Sequence, residues 1–525
     1  MRKIRTASGA VAVQVVAKEG GQVVDVDHVG SAHTDGQLAL LLEAAQERLS
    51  PGQGTLDLGP LPQQPVRTGD VADWTRQDEA ADAASGGRAP AVTAGGRVVA
   101  TSAQILWQVL ADAYSSLGFD VLDDDAFRAL VLARVIEPTS KADAVRVLEE
   151  TGVRGPSLRT IFRALARANE HDYREALATA CLAQSSSTAA GQASLMLYDC
   201  TTLHFEAENE DSFRKVGMSK ERRVDPQIQV GLLVDRAGFP LEAHAFEGNK
   251  AETKTLVPVL EAFQKRHGVT DMVVVADAGM LSASNLNALE DAGFGFIVGS
   301  RISKAPYDLA AHFERHGNYF TDGQILESSR KMGTGAHARA RRVVYQWSFK
   351  RQKHDDKSIN AMVERAEKIA DGTRPMKKDR FVKIDGASKG VDWDLVEQHR
   401  QRAGLKGYVT NLPIATMDGA GIIAAYHDLW QVEASFRMAK SDLRARPIFH
   451  RQRESIEAHI TVVFAALAIS RYLQDATGTS IKKIVRTLRT VRSATIEING
   501  QHLTLDPEIP KAAQKLLHDL DRDGH

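Results

Sequence analysis

The apolar and polar positions at the start of the chain predict β-structure followed by a linker. Residues 11–16 and 23–29 are rich in valine and are separated by a Gly-Gly pair, a pattern that predicts a small β-hairpin. Residues 50–98 are rich in Pro, Gly, Gln, Ala and Asp and carry no sustained periodicity. We therefore expect residues 1–98 to form a small β-rich segment and a linker.

From residue 104 to residue 183 the apolar positions recur at three- and four-residue spacing, which predicts helices with Ser140 and Ser157 as candidate N-caps. We expect residues 99–190 to form a helical domain. One of its helices places three basic residues on one face, as suits a helix that lies against DNA phosphates; they are Arg159, Arg163 and Arg167. A solvated charged face is the alternative interpretation of the same pattern.

The pattern changes at residue 195, where apolar runs typical of strands begin to alternate with helical spacing. The strand-like runs are 195–199, 228–235, 241–246, 271–277 and 294–300, and helical spacing covers 252–266 and 282–292. The order β-β-β-α-β-α-β over residues 191–300 is typical of ribonuclease H-like nucleases, in which helices cover a mixed sheet. We therefore predict an α/β protein whose core has this fold.

A polar segment rich in Lys and Arg interrupts this core, and we interpret residues 301–405 as an insertion subdomain. A strand at 407–413 and long helices at 418–439 and 457–472 are expected to complete the core over residues 406–475, with Asp418 as an N-cap. Residues 476–525 are predicted to form a C-terminal helix and a hairpin with its turn at Asn499-Gly500.

Composition and charge exclude several classes of protein. Hydrophobic residues make up 43% and charged residues 25% of the 525 positions, which is typical of a soluble globular protein rather than a disordered one. The two cysteines exclude a disulfide scaffold and lack zinc-ligand spacing. The N-terminus has no signal-peptide core, and the apolar stretch 460–469 is too short to cross a bilayer. We expect a cytoplasmic protein with no membrane contact.

Two acidic residues end predicted strands, Asp199 after LMLY and Asp277 after MVVVA. Neighbouring strands would present both carboxylates at one sheet edge, where they can share hard cations such as Mg²⁺. A pair of such ions stabilises the attacking and leaving oxygens of a phosphodiester. Either residue taken singly is better explained as a turn former or helix cap, so a third acid is needed.

The predicted helix at 418–439 supplies that third acid, Glu433. Tyr426 and Lys440 are each seven residues from it and so lie near the same face. Lys440 is placed to hold a DNA phosphate, and Tyr426 and Trp430 to stack on a displaced base. Core packing is the alternative for Trp430, and it is the favoured interpretation of Phe436.

Five segments resemble bacterial insertion-sequence transposases of the DDE class, specifically the group with a Tyr-Arg-Glu-Lys signature. They are YDCTTLHFE (198–206), FEGNKAETKTL (246–256), VVVADAGMLS (273–282), KGYVTNLP (406–413) and YHDLWQVEASFRMAKSDLRARPIFH (426–450). The resemblance implies a ribonuclease H-like core in which Asp199, Asp277 and Glu433 coordinate two Mg²⁺ ions, with Mn²⁺ as an alternative. It also implies cleavage at the element's ends and strand transfer, on DNA terminal repeats and target DNA, by a dimer or larger assembly. The signature Arg position is Leu429 here, and Arg437 is the candidate substitute.

Two basic runs are expected to bind the DNA backbone: 214–223, just after the first acid, and 330–354, which contains no acidic residue. From the second run we single out Arg341, Arg342, Lys350 and Arg351. Solubilising loops are the alternative, but so many charges of one sign without a polyanion are costly.

Two other functions fit the same residues. One is a ribonuclease H-like nuclease that cleaves without strand transfer, and the other is a catalytically silent DNA-binding protein derived from a transposase. No phosphate-binding loop or dinucleotide fingerprint is present, so a nucleotide cofactor is not expected.

Overall fold

The chain divides into two compact units, Met1–Thr93 and Ala94–His525. The computed structural model describes residues 2–5, 11–19, 22–32, 97–188, 194–206, 209–217, 225–269, 271–280, 282–300, 309–317, 319–375, 379–385, 388–498 and 501–523. The described part of the first unit is an antiparallel sheet of β1 (Arg2–Arg5), β2 (Val11–Glu19) and β3 (Gln22–Ala32). Pairing of β2 with β3 confirms the predicted hairpin, although its Gly20-Gly21 turn and the predicted linker up to residue 96 lie outside the described residues.

The second unit contains the remaining strands and all the helices that the structure describes. Its strands are β4 (Arg97–Ser102), β5 (Ser194–His204), β6 (Gln227–Asp235), β7 (Pro240–Glu247), β8 (Met272–Ala276), β9 (Gly295–Ser300), β10 (Ile325–Met332), β11 (Arg339–Trp347), β12 (Val382–Asp385), β13 (Ser388–Val391), β14 (Leu405–Thr410), β15 (Ser493–Ile498) and β16 (Gln501–Leu505). Its helices are α1 (Gln104–Ser116), α2 (Asp125–Ile136), α3 (Ala144–Glu150), α4 (Leu158–Glu170), α5 (Tyr173–Thr188), α6 (Leu256–His267), α7 (Ala283–Asp291), α8 (Ala310–His316), α9 (Phe349–Ala370), α10 (Trp393–Arg400), α11 (Gly419–His427), α12 (Trp430–Arg437), α13 (Arg453–Thr477), α14 (Ile481–Arg489) and α15 (Lys511–Asp523).

Eight of the described strands form one mixed sheet, in the order β10-β11-β14-β9-β8-β5-β6-β7. The pairs β5–β8 and β8–β9 are parallel, and the other neighbours are antiparallel. Strands β8 and β6 are almost completely buried, which explains their continuous apolar sequences. An antiparallel meander β7-β6-β5 continued by parallel β8 and β9 is the ribonuclease H-like arrangement, so the predicted fold is confirmed.

The predicted insertion begins later than residue 301, because β10 and β11 belong to the main sheet. Strand β10 alternates exposed and half-buried residues and contains mostly polar side chains, so its sequence carries no apolar run that would reveal it. The separate apolar cluster of the inserted segment is formed by α9, α10 and their surroundings; its buried members are Ile359, Val363, Ala366, Phe381, Val396 and Ala403.

The helices α1–α5 share one hydrophobic core with the sheet through α13. This helix packs against α2 and α4 on one side and β7 on another. Its length and apolar composition would suit a membrane span, but 89% of its most apolar window is buried inside the protein. Helix α13 is therefore the central helix of a folded core, and the predicted helical domain is not a detached body.

The predicted helix at 418–439 is divided in two. Helix α11 begins as expected, because the Asp418 side chain accepts a hydrogen bond from the backbone N–H of Gly421 at 2.7 Å. It ends at His427, α12 follows, and a π-helical turn at Met438–Asp442 ends the segment. Ser157 caps α4 as predicted, whereas Ser140 accepts from Asp143 N–H in the turn before α3.

Candidate active site

The sheet brings Asp199 and Asp277 to adjacent positions. Strands β5 and β8 are parallel neighbours, and Tyr198 pairs with Ala276, so the next residue of each chain segment is one of the two acids. Neighbouring strands are about 4.8 Å apart, and side chains at the same register point to the same face. Asp277 is exposed and Asp199 half-buried. Two carboxylates therefore lie side by side where β8 ends, as expected for a shared site. The prediction that Asp199 ends its strand is wrong, because β5 continues antiparallel to β6 as far as His204 and Asp199 lies within it.

The residues that flank Asp199 belong to the opposite, buried face of β5. The Tyr198 hydroxyl donates to Thr255 Oγ1 at 3.0 Å, and the Cys200 thiol donates to Tyr198 at 3.2 Å. Burial raises the pKa of the Cys200 thiol to about 12. Cys200 is therefore a packed, protonated thiol, and the alternation of side chains along β5 leaves Asp199 on the other face.

Tyr426 supports the second acid. Its hydroxyl donates to Asp277 Oδ1 at 3.0 Å from the end of α11. The ring is buried against Gly299 of β9, where a Cβ atom would lie 2.5 Å from the hydroxyl oxygen. Burial, followed by the charge of Asp277, raises the pKa of Tyr426. The prediction that Tyr426 stacks on a displaced base is wrong for this conformation, because its ring is covered and its hydroxyl is engaged by Asp277.

Glu433 lies on α12, which packs against β5 and β6, and its side chain is exposed. Within the described ranges, no group of three or more His, Cys, Asp or Glu side chains is assembled closely enough to hold a metal ion. The structure therefore brings two of the three predicted acids together and places the third on a helix beside one of their strands.

The other residues of this helical segment differ in accessibility. Trp430 is 58% exposed and so is not a core residue, whereas Phe436 is buried as expected. Arg437 is exposed, and Lys440 is half-buried within the π-helical turn rather than on a continuous α-helix. Leu429, at the signature Arg position, is buried and apolar, so a guanidinium at this place would be desolvated.

Two of the predicted DNA contacts are structural ion pairs instead. Arg341 is 2% exposed and donates from Nε to Glu290 at 2.7 Å. Arg342 donates to both carboxylate oxygens of Glu327 at 2.9 Å and to the carbonyl of Met417 at 2.7 Å. The prediction that these two arginines bind DNA is therefore wrong for this structure. Their run contains no acid, but folding brings acids to it from β10 and α7.

The arginines of α4 do not behave alike. Arg159 and Arg163 are exposed and remain candidates for contact with phosphates. Arg167 is tied to Asp124, the N-cap of α2, with Nε 2.9 Å from Oδ2. We therefore correct the assignment of Arg167, whose charge joins two helices.

Only residues 214–217 of the basic run 214–223 lie within the described residues. Arg214 is paired with Asp211 at 2.6 Å. In the second run Lys350 is exposed, and Arg351 is 46% exposed with its Nε 3.5 Å from Asp355. Lys350 and Arg351 remain candidate DNA contacts.

The predicted set omitted Lys406, which lies beside Asp277. Its Nζ is 4.4 Å from the centroid of the Tyr426 ring and 5.4 Å from that of Tyr408. Burial and the nearby Arg351 lower the pKa of Lys406, while Asp277 acts in the opposite direction. The one signal in the sequence was its position at the start of the segment KGYVTNLP, where an apolar strand begins with a cation.

Comparison with known proteins identifies the family to which the chain is similar. The family described as transposase DDE domain matches residues 190–469, more than half of the chain. Among solved structures, the piggyBac transposase synaptic complex with hairpin DNA is similar at a TM-score of 0.36 and 11% identity, over 72% of this chain and 70% of that one. The Mos1 transposase paired-end complex with left transposon end is similar at a TM-score of 0.15 and 10% identity, over 48% and 71%. No curated protein matches the sequence.

Proposed function

The chain belongs to the transposase DDE domain family, and on that premise we propose that it is a metal-dependent DNA transposase that cuts the ends of an insertion sequence and joins them to target DNA. The observation that carries the proposal is the adjacent register of Asp199 and Asp277 on parallel strands, with Tyr426 bonded to the second acid.

The acids fit a hard divalent cation. Carboxylate oxygens are the donors that Mg²⁺ and Mn²⁺ take, and the exposed Asp277 leaves room for water and phosphate. We propose Asp199 and Asp277 as ligands to two Mg²⁺ ions and Glu433 as the third acid. Such ions would supply a nucleophilic hydroxide and stabilise the departing 3′-oxygen.

The contributions of the protein itself are positional and electrostatic. Tyr426 fixes the rotamer of Asp277 by donating to one of its oxygens, so the other oxygen is left for a ligand. Trp430 and Arg437 project from the helix that carries Glu433 and are proposed contacts for a base and a phosphate. Lys440, Arg159, Arg163, Lys350 and Arg351 are proposed to hold the DNA backbone.

The setting of the reaction is also part of the proposal. The partners are double-stranded DNA ends, the terminal inverted repeats, and a target duplex, and the protein works as a dimer or larger assembly on them. We place the protein in a bacterial cytoplasm, on the nucleoid when it is bound to DNA.

The test is Mg²⁺-dependent cleavage and strand transfer on DNA that carries the ends flanking the gene, with wild type compared with Glu433→Gln. Losing a metal ligand removes several kcal/mol of transition-state stabilisation, so the rate of cleavage should fall at least about 100-fold while DNA binding is retained. Glu261→Gln is the matched control, because Glu261 is an exposed glutamate on α6 that is not one of the proposed acids.

Three other results would lead elsewhere. Equal cleavage by wild type and Glu433→Gln would remove Glu433 from the site. Cleavage without joining would indicate a nuclease. Binding without cleavage by the wild type would indicate a silent DNA-binding protein.

A further inference from the structure

A cleft opens beside Asp277, between the main sheet and the inserted segment. Its volume is about 450 Å³, which lies within the range of cavities that hold small ligands. Asp277 and Tyr426 line it on one side, and residues of α9 and of the connection from α10 to β14 line it on the other. A ligand of nucleotide size can therefore occupy this space next to Asp277.

The walls of the cleft are predominantly basic. Lys406, Arg351 and Arg402 all line it, against the two carboxylates of Asp277 and Asp355. Asp355 is already engaged, because its Oδ2 accepts from Gly404 N–H at 3.1 Å and lies 3.5 Å from Arg351 Nε. The cleft is therefore suited to an anion that approaches Asp277 from the side of the inserted segment.

Lys406 is the cation best placed for that anion. Its ammonium lies over the Tyr426 and Tyr408 rings, and within the described ranges it forms no ion pair with a carboxylate. Cation–π contacts use the charge but not the N–H donors, of which an ammonium has three. Those N–H donors can therefore form hydrogen bonds with oxygen atoms of a ligand.

We propose that Lys406 and Arg351 bind a backbone phosphate of the cleaved DNA strand, next to the linkage that is cut at Asp277. The proposal rests on the proposed function for its substrate. Lys406 is held by the same tyrosine that holds Asp277, so one ring sets the spacing between the phosphate grip and the acid. Arg351 comes from the inserted segment, which gives that segment a role in aligning the strand.

The test measures DNA binding without Mg²⁺, so that it does not depend on cleavage. Lys406→Met keeps an apolar stem over the Tyr426 ring and removes the charge. The probe is the duplex with the gene's flanking ends, and the readout is affinity as a function of salt concentration. Losing one phosphate contact should make the negative slope of log K against log [salt] less steep by about 0.7–0.9, and Arg351→Gln should act in the same direction.

An uncharged linkage in the DNA identifies which phosphate is bound. Methylphosphonate linkages, which carry no charge, are placed one at a time around the cleavage site. We expect one position to weaken wild-type binding to the level of Lys406→Met and to cause no further loss in that variant. Lys406→Arg should restore the slope, and Lys515→Gln, an exposed lysine on α15, should leave it unchanged.

The outcomes separate this inference from the proposed function. Unchanged salt slopes for Lys406→Met and Arg351→Gln, with normal cleavage, would overturn this inference and leave the proposed transposase function unaffected. A reduced salt dependence in the variants, together with weaker binding at one methylphosphonate position, in a protein that never cleaves DNA would support the phosphate contact and overturn the catalytic assignment. If Lys406→Met fails to fold, the salt dependence of DNA binding by Arg351→Gln still tests the phosphate contact, because Arg351 is half-exposed.

Discussion

The hydrogen bond between Tyr426 and Asp277 is the most specific interaction at the scale of single residues. The hydroxyl is 3.0 Å from Oδ1, and the ring has no freedom to turn away because Gly299 and Tyr408 pack against it. A carboxylate that must accept a metal ion in one orientation benefits from such a fixed donor.

We expect Tyr426→Phe to lower kcat for strand cleavage while DNA affinity remains close to that of wild type. A hydrogen bond to a charged group contributes about 1.5–3 kcal/mol, so the loss should be about tenfold or more. Tyr408→Phe is the matched control, because its hydroxyl is buried without a hydrogen-bond partner among the described residues. Equal effects of the two substitutions would show that Tyr426 acts only through packing.

The sequence predicted the two acids that follow apolar runs better than it predicted the roles of residues in basic runs. Asp199 and Asp277 could be located because each follows an apolar run in the sequence, although only Asp277 directly follows the end of its strand. Arg341 could not, because its partner Glu290 is fifty-one positions away and only folding brings them together. The same reasoning missed Lys406, whose significance depends on two rings from elsewhere in the chain.

At the scale of secondary-structure elements, the close contact between β9 and α11 positions the site. Gly299 lets the Tyr426 ring lie directly on the strand, and Asp418 fixes where α11 begins. The division of the predicted single helix into α11, α12 and a π-turn was not predictable, because the apolar spacing continues across residues 428 and 429.

Gly299→Ala should separate these two elements. The added methyl group would lie 2.5 Å from the Tyr426 hydroxyl oxygen and force the ring outward. Overpacking of this kind costs about 1–3 kcal/mol, so thermal unfolding should show a lower Tm and cleavage should fall with it. Gly390→Ala, on β13, is the control, since nothing lies within 4 Å of its added methyl. An unchanged Tm and rate for Gly299→Ala would mean that α11 is not held against β9 by this contact.

At the scale of the whole molecule, a half-buried basic cluster joins the helices α1–α5 to the segment that follows the π-turn. Lys141 Nζ lies 2.6 Å from His450 Nε2, and Arg134 donates to the carbonyls of Leu443 and Arg444. Burial, followed by the charges of Lys141 and Arg134, lowers the pKa of His450 to about 4. His459, which is almost fully buried and contacts Arg134, is also held neutral.

These histidines make the stability of the protein depend on pH. Their pKa values are lowered on folding, so between about pH 6.5 and 4 the unfolded chain binds more protons and the folded state loses stability as the pH falls. We expect the free energy of unfolding to drop by on the order of 1–2 kcal/mol from His450 after allowance for solvent screening. Denaturant unfolding at a series of pH values measures it.

His450→Gln is the informative variant, because its amide oxygen still accepts a hydrogen bond from Lys141 but does not titrate. The decline between pH 6.5 and 4 should become shallower, with a remainder due to His459, whose pKa is also lowered by burial. An identical pH profile for wild type and variant would exclude His450 as a source of the decline.

The position of α13 in the chain has a consequence for how the protein is made. Helices α1–α5 are synthesised early, yet the helix that completes their core comes from residues 453–477, after most of the chain. Contacts between such distant segments form slowly, and exposed apolar faces favour aggregation until they are closed. Residues 453–477 must therefore be synthesised before the core around α1–α5 is complete, and a nascent chain that stops short of α13 leaves apolar faces exposed to chaperones and proteases.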